Sequence, residues 1–209
     1  MDKLRIGIIG FGTVGKGVYQ ILKGEKDTHP ILKHIEIVNI VVKDISKKRK
    51  INLEKNLLIN DPNKLIDDPS IDVIVEVMGG IDFAKNIILK SLRVGKSVVT
   101  ANKAVMARYG EEIHKVASEN GAYILYEAAV CGGIPIIETL KRSLKSNQIL
   151  KMAGIINGTT NFILSKMSTY KDSFKESLDL AQKLGYAELD PSADVEGQDA
   201  ADKISILSE

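Results

Sequence analysis

Leu4-Arg5-Ile6-Gly7-Ile8-Ile9-Gly10-Phe11-Gly12-Thr13-Val14-Gly15 is the stretch that decides the fold. Leu4 to Ile9 is a short isoleucine-rich apolar run, the pattern of a strand buried on both faces of a parallel sheet. Three glycines follow at the spacing of a dinucleotide-binding turn. Gly10 permits the tight turn, Gly12 lets the main chain approach a pyrophosphate, and Gly15 allows helix and strand to pack closely. Val14, Val18, Ile21 and Leu22 then repeat at helical spacing up to Lys23. A glycine turn of this kind is weak evidence by itself. Its place between a strand and a helix gives it meaning, because the helix N-terminus offers unpaired N–H groups to phosphates.

Outward from this unit, strands and helices alternate. Strands are expected at His34–Val42, Asp72–Met78, Ser97–Thr100 and Ala122–Glu127, and helices at Phe83–Arg93 and Tyr109–Asn120. Gly24 to Lys33, charged and containing Pro30, reads as a loop. This order predicts an α/β fold, a doubly wound parallel Rossmann-type sheet with right-handed crossovers. After about residue 130 the pattern changes to helices at Pro135–Leu144, Thr160–Tyr170 and Ser173–Leu184. The expected domains are therefore 1–130 for the dinucleotide and 131–209 for a substrate.

Composition sets the outer limits. The 209 residues are 44% hydrophobic and 27% charged, enough to bury a core. Net charge is +2, from 29 basic and 27 acidic residues, so no concentrated basic footprint for nucleic acid is expected. No apolar run approaches the roughly 18–20 residues of a membrane span. The N-terminus lacks the pattern of a signal peptide. Cys131 is the lone cysteine, which excludes an internal disulfide and fits a reducing cytoplasm. It has no histidine beside it, since His29, His34 and His114 lie in other segments, so it reads as a small apolar filler.

The end of the second strand should lie beside the adenosine ribose. A basic residue there accommodates the 2′-phosphate of NADP, and an acidic one favours NAD. Lys43 and Asp44 stand side by side, ahead of Lys47, Lys48, Arg49 and Lys50. NADP follows if Lys43 faces the ribose and NAD if Asp44 does. The basic cluster tilts the expectation to NADP, with NAD also usable.

Four further segments carry a family resemblance. They are Thr100-Ala101-Asn102-Lys103-Ala104, Glu127 to Pro135 (EAAVCGGIP), Gly154 to Asn161 (GIINGTTN), and Gly185 to Lys203 (GYAELDPSADVEGQDAADK). With the glycine turn, they resemble homoserine dehydrogenase from the first strand to the last residue. The resemblance implies reversible NAD(P)-linked interconversion of L-homoserine and L-aspartate 4-semialdehyde, in the biosynthesis of threonine, methionine and isoleucine. It implies a substrate site at Glu188, Asp194 and Asp199, an acid–base lysine at Lys203, and Lys103 close to nicotinamide and substrate. It implies cofactor contacts at Gly10, Phe11, Gly12, Thr13, Val14, Gly15, Lys43, Gly79, Gly80, Thr100 and Lys103. A monovalent cation, usually sodium, maps to Glu127, Val130, Gly132 and Ile134. The second domain is expected to be an incomplete α+β substrate and dimerisation domain, giving a homodimer when complete.

The chemistry suits these residues. Reducing an aldehyde needs a hydride at carbon and a proton at oxygen, and a lysine ammonium can give that proton. The reverse reaction asks for a lysine pKa lowered by burial or by a second cation, a part that Lys103 and Lys203 could play for each other. Asp199 and Lys203, four apart, share a helix face. Asp194 is expected to cap that helix, Glu188 to accept the substrate ammonium, and Asp202 to be solvated. A carboxylate with main-chain carbonyls is a donor set that hard cations take. The chain stops six residues after Lys203, short of where family members end. It is therefore expected to be weakly active or inactive if complete. The alternatives are a non-catalytic dinucleotide-binding module, and an oxidoreductase for another small amino acid or aldehyde.

Overall fold

The computed structural model describes residues 3–24, 29–54 and 56–208. The chain divides into two compact units, Met1–Ala129 and Val130–Glu209.

The first unit is built on a six-stranded parallel sheet of order β3-β2-β1-β4-β5-β6. The strands are β1 (Leu4–Ile9), β2 (Ile35–Val41), β3 (Leu58–Ile59), β4 (Val73–Glu76), β5 (Ser97–Thr100) and β6 (Ile124–Leu125). Between them run α1 (Thr13–Lys23), the short α2 (Asn63–Ile66), α3 (Asp82–Arg93) and α4 (Lys103–Glu119). The order reverses between β1 and β4. That is the switch point at which a doubly wound sheet opens a crevice beyond the carboxyl ends of its strands.

Side-chain alternation sets the two faces of the sheet. Ile6, Ile8, Ile37, Ile40 and Val75 pack with Phe11 and Tyr19 into one buried cluster, Ile37 and Ile40 sharing a face because the β1–β2 register shifts between Ile6 and Gly7. Gly7 and Ile9 point the other way, and a Cβ on Gly7 would stand 2.8 Å from Leu65 of α2. Ile9, Glu76 and Thr100 continue this second face, because Ile9 pairs with Glu76 and Glu76 with Thr100 in register. At the opposite edge of the sheet, buried Lys96 donates to the carbonyls of Asp68 (2.5 Å) and Ile71 (2.6 Å). Burial lowers its pKa from the ordinary lysine value.

Several boundaries differ from expectation for local reasons. Helix α4 starts six residues before Tyr109, because the Asn102 side chain caps it by accepting from Val105 N–H. The last strand shortens to two residues, and Glu127 falls in a 3₁₀ turn, Glu127–Ala129. The expected loop at 24–33 contains a 3₁₀ helix, Pro30–His34, capped by His29; its residues 25–28 lie outside the described residues. Strand β3 and helix α2 are too short for periodicity to announce.

The second unit contains α5 (Ile136–Glu138), which continues as a π-helical turn, Thr139–Ser143. Helices α6 (Gly158–Tyr170), α7 (Phe174–Lys183), α8 (Ser192–Val195) and α9 (Gln198–Ser208) follow. No strand occurs among its described residues. Helices α6 and α7 close on a small core of Ile163, Ala181 and Ala187, backed by Phe162, Met167 and Leu178.

Candidate active site

In the first unit, the glycine turn leaves β1 and enters α1. A Cβ on Gly15 would lie 2.2 Å from the Gly10 carbonyl oxygen, so only glycine lets helix and turn approach this closely. Gly10 itself has φ +107° and lies tight against Val77 and Met78. Gly12 is different. It is exposed, and a Cβ there would meet no protein atom within 4 Å. The fold does not require glycine at position 12, whereas a ligand approaching the main chain would. Thr13 and Val14 are exposed at the same helix start, and no acidic residue occupies the first turn of α1. Phe11 is buried, its ring edge-on to Tyr19 at 5.9 Å. Only its main chain can serve a ligand.

Beyond β2, Asp44 accepts from Ser46 N–H (2.8 Å) and Ser46 Oγ (2.6 Å). These bonds hold its carboxyl below the ordinary range. Arg49 folds back onto the carbonyls of Asp44 (2.7 Å) and Lys47 (2.8 Å). One oxygen of Asp44 is thus committed to its own turn, while Lys43 is exposed. Gly79 and Gly80, both at positive φ, follow β4. Thr100 is fully buried, and its hydroxyl donates to Glu76 (2.6 Å) while accepting from Asn102 N–H (2.9 Å). Thr100 therefore faces the protein, and the next residues carry the chain to Lys103 at the start of α4.

In the second unit, α9 presents Asp199 and Lys203 together. Their side chains meet at 2.6 Å with relative exposures of 13% and 18%, so this is no solvated surface pair. Lys203 also donates to the Ile156 carbonyl at 2.6 Å. Asn157 joins the carboxylates: its Nδ2 donates to Asp194 (2.7 Å) and to Asp199 (2.8 Å). Its Oδ1 accepts from Thr160 N–H and caps α6. The Thr159 hydroxyl, with its single proton, lies 2.6 Å from the Tyr186 carbonyl and 3.0 Å from Asp194. Gln182 of α7 holds the Glu188 carbonyl at 3.0 Å, leaving the Glu188 side chain exposed. Tyr186 stacks on Phe162 with centroids 4.7 Å apart. Asp194, Asp199 and Lys203 are thus linked through Asn157 and Thr159, whereas Glu188 is tied to α7 by its main-chain carbonyl alone.

Three expectations need correction. Asp202 is buried, not solvated, and accepts from Gln198 Nε2 at 2.8 Å. It shares the inward face of α9 with buried Ile206. Asp194 does not cap α9; it lies in α8, and its two oxygens lie within hydrogen-bond distance of Asn157 and Thr159. Cys131 is no buried filler, since it is half-exposed at φ +55° in a turn with Gly132 at φ +60°. Of the positions matched to a cation, Glu127 belongs to the first unit and Val130, Gly132 and Ile134 to the second. Val130 is buried, and Gly132 and Ile134 are exposed. Asn157 and Thr159, both in the GIINGTTN segment, join the site although neither residue type nor spacing assigns them a role in it. The cap signal of Asn157 was readable there, but its long-range bonds were not.

Residues 10–127 match the family model described as "Homoserine dehydrogenase, NAD binding domain", and residues 135–209 the model described as "Homoserine dehydrogenase". The chain belongs to the homoserine dehydrogenase family. A homoserine dehydrogenase of Synechocystis sp. is 50% identical over 205 residues, covering 98% of this chain and 47% of that protein. The crystal structure of a homoserine dehydrogenase from Thiobacillus denitrificans superposes with a TM-score of 0.88 at 43% identity, over 100% of this chain and 48% of that one. A hyperthermophilic archaeal homoserine dehydrogenase in complex with NADPH gives 0.78 at 29% identity, over 98% and 68%. The chain thus spans about half the length of the curated relatives it matches. Within this family, the first unit corresponds to the dinucleotide-binding part. No helix of the described residues is long and apolar enough to cross a membrane.

Proposed function

We propose that this chain carries the chemistry of homoserine dehydrogenase, interconverting L-aspartate 4-semialdehyde and L-homoserine with NADP, or less readily NAD. The observation that carries this reading is the Lys203 ammonium, held at 2.6 Å by both Asp199 and the Ile156 carbonyl, in a network that also fixes Asp194. A nicotinamide dinucleotide, when bound, supplies the hydride for reduction and accepts it for oxidation.

The chain's own residues do the rest. The N–H groups opening α1 and the uncrowded main chain at Gly12 suit a pyrophosphate. Lys43 suits a 2′-phosphate, because Asp44 is partly committed to Ser46. In the reductive direction, Lys203 gives a proton to the carbonyl oxygen as hydride reaches the carbon, so the aldehyde becomes an alcohol with charge conserved. In the oxidative direction Lys203 takes that proton back. Asp199 orients Lys203 and balances its charge. Glu188 accepts the substrate ammonium, and Lys103 assists on the cofactor side.

Glu127 would supply a carboxylate to a monovalent cation such as sodium, a donor suited to a hard ion. Homodimerisation through the second unit is supported by exposed Ile149 and Leu150, which border an apolar groove of about 430 Å³.

The test is NADPH oxidation driven by aspartate 4-semialdehyde, for the unaltered chain and for Lys203→Ala. General acid–base loss predicts a fall in kcat of about a hundredfold or more. Equal rates would remove Lys203 from the mechanism.

A further inference from the structure

Glu76 is fully buried at the carboxyl end of β4, and neither the sequence pattern nor the mechanism above uses it. A buried carboxylate is costly unless it is well satisfied. Its two oxygens have separate partners. Oε1 accepts from Met78 N–H at 2.9 Å. Oε2 accepts from the Thr100 hydroxyl at 2.6 Å. Thr100 Oγ1 in turn accepts from Asn102 N–H at 2.9 Å, and Asn102 Nδ2 donates to the Gly80 carbonyl at 2.7 Å. The chain of bonds runs from the loop after β4 to the loop after β5 and back. One end holds Met78 and Gly80, and the other holds Thr100 and Asn102, the residue before Lys103.

Both loops lie past the switch point, on the side of the sheet away from β2. In a doubly wound sheet the adenosine half of a dinucleotide is held by β1 and β2, and the other mononucleotide half by the strands beyond the switch. We propose that Glu76 is the positioning residue for the nicotinamide half of the cofactor site, its single carboxylate locking the β4 and β5 loops in one register. The proposal rests on the reading of the first unit as a dinucleotide site.

The geometry demands two acceptors. In Glu76→Gln one acceptor becomes a donor. If it faces Met78, two donors meet. If it faces Thr100, that hydroxyl must receive two donors and its own proton loses its partner. Thr100→Val breaks the same link from the other side, whereas Thr100→Ser keeps it.

The experiment titrates the full chain with NADPH and, separately, with 2′-phospho-ADP-ribose, which lacks the nicotinamide. Melting temperatures of the free variants are measured in parallel. The expected result is NADPH affinity about tenfold or more weaker in Glu76→Gln and Thr100→Val. Thr100→Ser stays near the unaltered chain, and 2′-phospho-ADP-ribose binds all four alike. Unchanged NADPH affinity in Glu76→Gln overturns the proposal. So does equal weakening of both ligands, or a Glu76→Gln chain that does not fold while Thr100→Val folds and binds NADPH normally. Absence of NADPH binding by the unaltered chain would instead overturn the dinucleotide reading on which the proposal stands.

Discussion

Asn157 spends one amide on three tasks: it caps α6, and it bridges Asp194 and Asp199. A neutral donor between two carboxylates is what lets them stand close without a second cation. Asn157→Asp keeps the shape and the cap but replaces the donor with a third negative charge. It should lower kcat at least tenfold by disturbing the Asp199 and Lys203 pair, while NADPH affinity stays unchanged; unchanged turnover would show the bridge to be incidental. Gly12 makes the opposite case, of a residue the protein itself does not need. A Cβ added at Gly12, as in Gly12→Ala or Gly12→Val, has open space around it. Gly12→Val should melt with the unaltered chain yet lose the stabilisation given by NADPH. Retained stabilisation by NADPH would mean that no pyrophosphate passes there. At this scale the spacing of Asp199 and Lys203 puts them on one helix face, where they meet at 2.6 Å, while the roles given to them and to Glu188 come from the family resemblance. Glu76 could not be read in the sequence. Its stretch, Val73-Ile74-Val75-Glu76-Val77-Met78, reads as an apolar strand, and the partner that makes its burial tolerable is Thr100, 24 residues away.

At the scale of elements, caps decide where helices begin. Asn102 starts α4 six residues ahead of Tyr109, with Val105 and Met106 already buried in its first turn, which brings Lys103 to the helix start at the carboxyl end of the sheet. Helix α7 begins with a reciprocal capping box between Ser173 and Glu176. The Ser173 hydroxyl and then its main-chain N–H hold the Glu176 carboxyl below its ordinary range. Because the folded value is the lower one, this contact adds stability at pH above the ordinary carboxylate value. The gain is lost as pH falls through the folded value. Ser173→Ala should therefore lower the melting temperature at neutral pH and leave it less sensitive to acid; an unaltered acid limb would show that the box contributes nothing. Long periodic elements such as α1 and α3 could be read from sequence. The short β3 and α2 could not, because two to four residues carry no period and are held by neighbours in the fold.

At the scale of the molecule, the residues proposed for cofactor and for substrate fall in two compact units. The first holds the glycine turn, the β2 loop and the Glu76 network. The second holds the Asn157, Asp194, Asp199 and Lys203 network with Glu188. The parallel sheet was predictable because alternating strands and helices allow few topologies. The inward turn of Asp202 was not, because which face of α9 is covered depends on residues far away in the chain. Our proposal is that these two sets of residues serve one hydride transfer between homoserine and a nicotinamide dinucleotide. It is tested most directly by incubating the chain with NADP⁺ and L-homoserine deuterated at its hydroxyl-bearing carbon, and analysing the reduced cofactor by mass spectrometry. The expected product is reduced cofactor carrying one deuterium from the substrate, formed far more slowly by Lys203→Ala. Reduced cofactor without deuterium, or none formed from homoserine at all, would contradict it.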